Sequence, residues 1–133
     1  MTEPVQLDIK YRTYNFAVKT IKYLDKIEIK RTYNSLIDQV IRSSTSIGAN
    51  VVEGKSGSSR KDLINFFKIA LKSANETKYW MCLLRDAFNL EKKEVNLLIQ
   101  EADEISKILA ASLLTLQGKV RKVKNKNQVK AEK

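Results

Sequence analysis

An all-α fold, specifically an antiparallel up-down-up-down four-helix bundle, is predicted by three features of the sequence. The 133 residues include only four glycines and one proline, too little turn chemistry for a sheet protein. Long stretches place apolar residues at alternating steps of three and four, the period of one helical face. The breaks between those stretches are few and short, so each helix is expected to fold back on its neighbour. The length suits one core, assigned to residues 11–118. Residues 1–10 are read as a flexible amino-terminus and residues 119–133 as a disordered basic tail.

The first helix is predicted over residues 12–27, with Tyr14, Ala17, Ile21 and Leu24 as its core seam. The second is predicted over residues 33–52, with Ile37, Val40, Ser44, Ile47 and Val51 facing inward. Small residues crowd its second half, and Gly48, which costs a helix ~1 kcal/mol relative to alanine, implies a kink or a close contact. Residues 53–59, EGKSGSS, read as the one internal loop. Ser59 followed by Asp62 is an acidic variant of the capping box that opens the third helix.

That third helix, residues 60–88, has an unbroken seam of Leu63, Phe67, Ala70, Ala74, Thr77, Met81, Leu84 and Phe88. A second row, Phe66, Ile69, Ser73, Glu76, Trp80, Leu83 and Ala87, widens the apolar arc. The helix therefore sits centrally, or it packs on another subunit. Asn89 closes it. The fourth helix, residues 91–117, turns Val95, Leu98, Ala102, Ile105, Leu109, Ser112 and Leu116 inward and stops at Gly118.

Charge suggests partners. Lys and Arg number 25 against 15 Asp and Glu, a formal charge of +10 that suits RNA, DNA or another polyanion. The excess is +3 over residues 1–58, +1 over residues 59–118 and +6 over residues 119–133. Candidate phosphate contacts are Lys19, Lys22 and Lys26 on the first helix and Lys119, Arg121, Lys122, Lys124 and Lys126 in the tail, with Tyr11 and Tyr14 as stacking groups. The simpler reading of the first-helix lysines is a solvated face, partly offset by Asp25 and Glu28. Cys82, the single cysteine, is placed among apolar neighbours as a buried thiol. Without a signal peptide or an apolar run of spanning length, the chain is expected in the cytoplasm with no membrane partner.

Catalysis is not expected. The absence of histidine removes Ser-His and Cys-His nucleophiles, imidazole metal ligation and the commonest general base. No metal or cofactor is expected. Gly54-Lys55-Ser56 imitates the end of a phosphate-binding loop, but Ala49 stands where that motif needs its first glycine, and the preceding segment reads as helix rather than strand. What remains is Lys55, Arg60 and Lys61 around a helix start, either a phosphate site or a terminus with solvated cations. Glu76 and Glu53 are read as structural acids, with Arg42 the expected partner of Glu76.

Residues 39–54, QVIRSSTSIGANVVEG, resemble the R-x-x-x-S-I-x-x-N-[IV]-x-E-G signature of a bacterial four-helix bundle family, through Arg42, Ser46, Ile47, Asn50, Val51, Glu53 and Gly54. That family includes proteins encoded in intervening sequences of large-subunit ribosomal RNA genes and accessory proteins of diversity-generating retroelement reverse transcriptases. FFKIALKSANE, with Phe66, Phe67, Ala70, Leu71, Ser73 and Glu76, looks like its third-helix segment. Two departures are Gly48, where the family commonly has proline, and Lys72, where it has a small residue. The resemblance, over residues 11–116, implies a homopentameric ring whose basic surface binds structured RNA or an RNA/DNA hybrid and a reverse transcriptase. The alternative reading is an oligomeric protein-interaction scaffold of the intervening-sequence type, without a nucleic-acid role.

Overall fold

The computed structural model describes residues 8–57 and 59–118. Four helices account for most of them: α1 (Ile9–Lys26), α2 (Asn34–Ser56), α3 (Arg60–Ala87) and α4 (Lys92–Leu116), with a 3-10 turn at Arg31–Tyr33 before α2. Each packs antiparallel on the next, α4 closes against α1, and α1 and α3 make no close approach. The bundle is therefore a square in which α1 and α3 occupy one diagonal. The helices of a diagonal pair show their outer faces to opposite sides.

Local chemistry sets the ends. Asp8 accepts from the Lys10 amide at 2.9 Å, so α1 starts at Ile9, three residues before the predicted position. Ser59 Oγ accepts from the Asp62 amide at 3.0 Å, as the capping box predicts. Glu91 caps α4 through the Lys93 amide at 3.0 Å. Asn89 breaks the chain after α3 with φ of 52°, and Gly118 follows α4 with φ of 78°, a conformation that suits glycine.

The expected internal loop is largely helix. Continuing α2 through Ser56 buries Gly54, where an added Cβ would lie 3.0 Å from Phe66 Cβ. The glycine that suggested a loop is instead the point of closest approach to α3, leaving only residues 57–59 as the link. Gly48 also serves a tight contact, since an added Cβ would sit 3.1 Å from Thr13 Oγ1 on α1. The helix runs unbroken through it.

The seams of α2, α3 and α4 lie where the periodicity puts them, with Val40, Ile47 and Val51 meeting Ala70, Ala74, Met81 and Leu84 across from Val95, Ile105 and Leu109, all buried. Fully burying a side chain such as Ile47 or Leu109 is worth ~1.5–3 kcal/mol. In α4 the last turn buries Leu113 rather than Ser112. The α1 seam is displaced by one residue: Thr13, Phe16, Thr20 and Tyr23 are buried, whereas Tyr14 and Ile21 are exposed. Thr13 shows how a threonine can take a core position. Thr13 Oγ1 meets the Ile9 carbonyl at 2.8 Å, so its hydroxyl enters the core already satisfied, a possibility that counting apolar residues overlooks.

Hydroxyl groups also line the α2–α3 contact. Thr77 Oγ1 lies 2.9 Å from Ser43 Oγ, and Ser73 Oγ lies 2.9 Å from Ser46 Oγ. Asn50 Nδ2 donates to Ser46 Oγ at 2.9 Å and to the Ser46 carbonyl at 2.8 Å. Small side chains let the two backbones approach, and their polar atoms find partners across the seam. On α1, by contrast, Tyr23 OH and Thr20 Oγ1 are buried without a protein partner among the described residues.

Candidate nucleic-acid interface

The basic residues separate into three environments. On α1, Lys19, Lys22 and Lys26 border a groove of about 660 Å³ shared with Glu94, Glu101 and Glu104 of α4. Lys26 Nζ donates to Glu94 at 2.6 Å. Arg12 Nε donates to Glu101 at 2.7 Å, and its Nη2 also reaches Glu104. These bonds join residues 68 to 92 positions apart, so no local spacing signals them. The face expected to be positive is therefore one of mixed charge.

At the end of the bundle that holds the α2–α3 link, two of the three expected cations are engaged. Lys55 Nζ lies 3.4 Å from Asp8. Arg60 donates through Nε and Nη2 to the Leu116 carbonyl at 2.9 and 2.6 Å, capping α4 with a bidentate grip. Lys55 contributes to holding the Asp8 carboxyl below its usual range, behind the larger effect of the Lys10 amide. Gly54, Lys55 and Ser56 are helical, which removes the loop that a phosphate cradle requires. Lys61 points to solvent, free of any ion pair among the described residues.

Lys61 begins the third environment, which sequence reasoning missed. Lys61, Lys68, Lys72 and Tyr79 follow one another at steps of seven, four and seven, which return to the same side of a helix. All four are exposed, on the side of α3 opposite its buried seam, and none of the lysines is ion-paired among the described residues. Lys72, a departure from the resembled signature, lies outside the packing and leaves the α2–α3 contact undisturbed. Counting outward-facing residues on α3, rather than only its apolar rows, would have found this stripe.

The structural acids are placed differently from expectation. Glu76 is exposed rather than buried, and no ion pair joins it to Arg42 among the described residues. The register that sets Ser43 beside Thr77 and Ser46 beside Ser73 brings Arg42 level with Glu76, but both side chains turn to solvent. Glu53 is exposed as well, whereas Asn50 is half-buried against Ser46. Cys82 is half-buried rather than fully so. Lys119, Arg121, Lys122, Lys124 and Lys126 lie outside the described residues. Among the described residues no helix is long and apolar enough to cross a membrane, and no group of His, Cys, Asp and Glu could hold a metal ion.

Residues 5–111 match the model of the family described as 23S rRNA-intervening sequence protein. The chain belongs to that family. A solved structure from Bacteroides thetaiotaomicron, described as a protein with unknown function from the S23 ribosomal protein family, is 32% identical. It aligns over 80% of this chain and 98% of its own, with a TM-score of 0.71. No curated protein matches. The matched residues take in α1, α2, α3, most of α4 and the stretch from Arg42 to Gly54, while the lysine stripe is read from this chain's own surface.

Proposed function

We propose that this intervening-sequence protein is a non-enzymatic, homo-oligomeric nucleic-acid-binding protein that holds RNA through the outer side of α3 and the basic residues 119–133. The observation that carries the reading is the line of Lys61, Lys68 and Lys72, exposed and without an ion pair among the described residues, while Arg12, Lys26 and Lys55 are occupied by carboxylates. Such a line follows a phosphate backbone, and its affinity is sequence-independent and salt-sensitive. Arg60 places the end of α4 beside the start of the stripe, so seven further Lys and Arg residues follow from that end of the bundle.

Symmetry multiplies weak contacts. A ring, the pentamer suggested by resemblance, repeats each stripe around its rim and converts modest phosphate contacts into avidity. The accessory role to a retroelement reverse transcriptase rests on the same resemblance. The mixed-charge α1–α4 face offers a second surface for a protein partner of that kind.

Light-scattering mass with and without a structured RNA, at low and near-physiological salt, tests this reading. An oligomer that takes up RNA and releases it as salt rises supports it. An oligomer that ignores RNA at low salt contradicts it and favours the scaffold alternative.

A further inference from the structure

We propose that the outer side of α3 is a platform for single strands, on which Tyr79 stacks against an unpaired base while Lys72 and Lys68 hold phosphates on one side of it. This rests on the nucleic-acid reading above and adds the class of ligand. Tyr79 is 62% exposed although it lies on a well-packed helix, so its ring serves no core. Its ring meets that of Trp80 edge-on at a centroid distance of 5.1 Å. Trp80 is itself packed against the core, and a rooted aromatic therefore braces an exposed one.

An exposed, braced ring in line with lysines suits single strands. In a duplex the base faces are covered by their neighbours, so a surface tyrosine has nothing to stack on. In a single strand every base offers a face, and each stacking contact is worth about tenfold or more in affinity. Lys61 to Tyr79 spans 18 residues of helix, roughly 27 Å at 1.5 Å per residue, with Lys68 and Lys72 between them. Glu76 borders the same groove as Lys72, Tyr79 and Trp80. Its carboxylate repels phosphate and accepts from base amino groups, so the position beside Tyr79 belongs to a base and the phosphates to the lysine end.

Trp80 is the only tryptophan, and its contact with Tyr79 makes its fluorescence a reporter of the platform. The full chain is titrated at low salt with a short single-stranded RNA, the matching duplex, and an abasic strand that has the phosphates without bases. The platform predicts tighter binding of the single strand than of the duplex, with a change in Trp80 emission. It also predicts that Tyr79→Leu weakens the single strand about tenfold and leaves the abasic strand unchanged, whereas Tyr79→Phe retains binding. Tyr79→Leu with no effect, or with equal loss for both strands, overturns the platform but leaves phosphate binding standing. Failure of the unaltered chain to bind any of the three overturns the nucleic-acid reading and the platform with it.

Discussion

Arg60 grips the carbonyl of Leu116 through two nitrogens at 2.9 and 2.6 Å, tying the last turn of α4 to the first turn of α3. The bond satisfies a carbonyl that a helix end leaves without an intrahelical partner. It also fixes where the chain leaves the bundle, next to Lys61. Arg60→Ala is expected to lower stability by ~0.5–1.5 kcal/mol, since the site is exposed to water. Arg60→Lys, with charge but no planar fork, should recover only part of that. Urea unfolding followed by circular dichroism measures both; full recovery in Arg60→Lys would show that charge alone matters.

Two glycines of α2 rank in a definite order. At Gly48 an added Cβ meets the Thr13 hydroxyl at 3.1 Å, and the helix gains ~1 kcal/mol of propensity to set against that crowding. At Gly54 the Cβ meets Phe66 Cβ at 3.0 Å, with Leu63 and Phe67 both at 3.4 Å, and the site is buried. Gly54→Ala should therefore cost ~1–3 kcal/mol and Gly48→Ala less than half of it. Equal urea midpoints for the two variants would contradict the packing described at the α2–α3 seam.

Tyr23 is expected to respond in the opposite direction. Burial, and behind it the negative charges of Glu94 and Glu91, hold its phenol above the ordinary value of 10.0. Because the folded value is raised, the folded state keeps the proton that the unfolded chain releases. The associated stability is complete below pH ~10 and is lost as pH rises through the folded value. Tyr23→Phe removes a buried hydroxyl that has no protein partner among the described residues and should raise stability at pH 7 by ~1 kcal/mol while flattening the alkaline decline. Denaturant midpoints from pH 7 to 11 give both results, and a destabilised variant would refute this placement.

The α1–α4 ion pairs differ in worth. Arg12 is half-buried and shared between Glu101 and Glu104, whereas Lys26 and Glu94 stand in solvent. Arg12→Met is expected to cost ~1 kcal/mol and Lys26→Met at most ~0.5 kcal/mol. A double-mutant cycle of Arg12 with Glu101 isolates the pair, and a coupling energy near zero would contradict the assignment.

Much of the fold was legible because three of the four helices turn unambiguous apolar rows inward: Val40, Ile47 and Val51, then Phe67 through Leu84, then Val95 through Leu109. The α1 seam was misread because Thr13 and Thr20 are core residues there, while Tyr14 and Ile21, which look like core, are not. The loop was overextended because glycine marks both turns and close helix contacts, and Gly54 is the second kind. The charge pattern of the candidate interface was partly legible. Clustered lysines on α1 stood out in sequence, but the acids that share their groove, and the one that pairs with Lys26, come from α4, a long-range relation that no local pattern shows. The α3 stripe stayed hidden because its lysines lie on the back of a helix read for its apolar rows.

The most direct test is the salt dependence of RNA affinity for two paired variants, Lys68→Ser/Lys72→Ser on α3 and Lys19→Ser/Lys22→Ser on α1, against the unaltered chain. Each lost phosphate contact on a single strand reduces the slope of log affinity against log salt by ~0.7. The α3 pair should weaken binding and flatten the slope by ~1.4, while the α1 pair, on the mixed-charge groove, should change either quantity little. An α3 pair that binds like the unaltered chain, with the loss falling on α1 instead, would contradict the proposed interface.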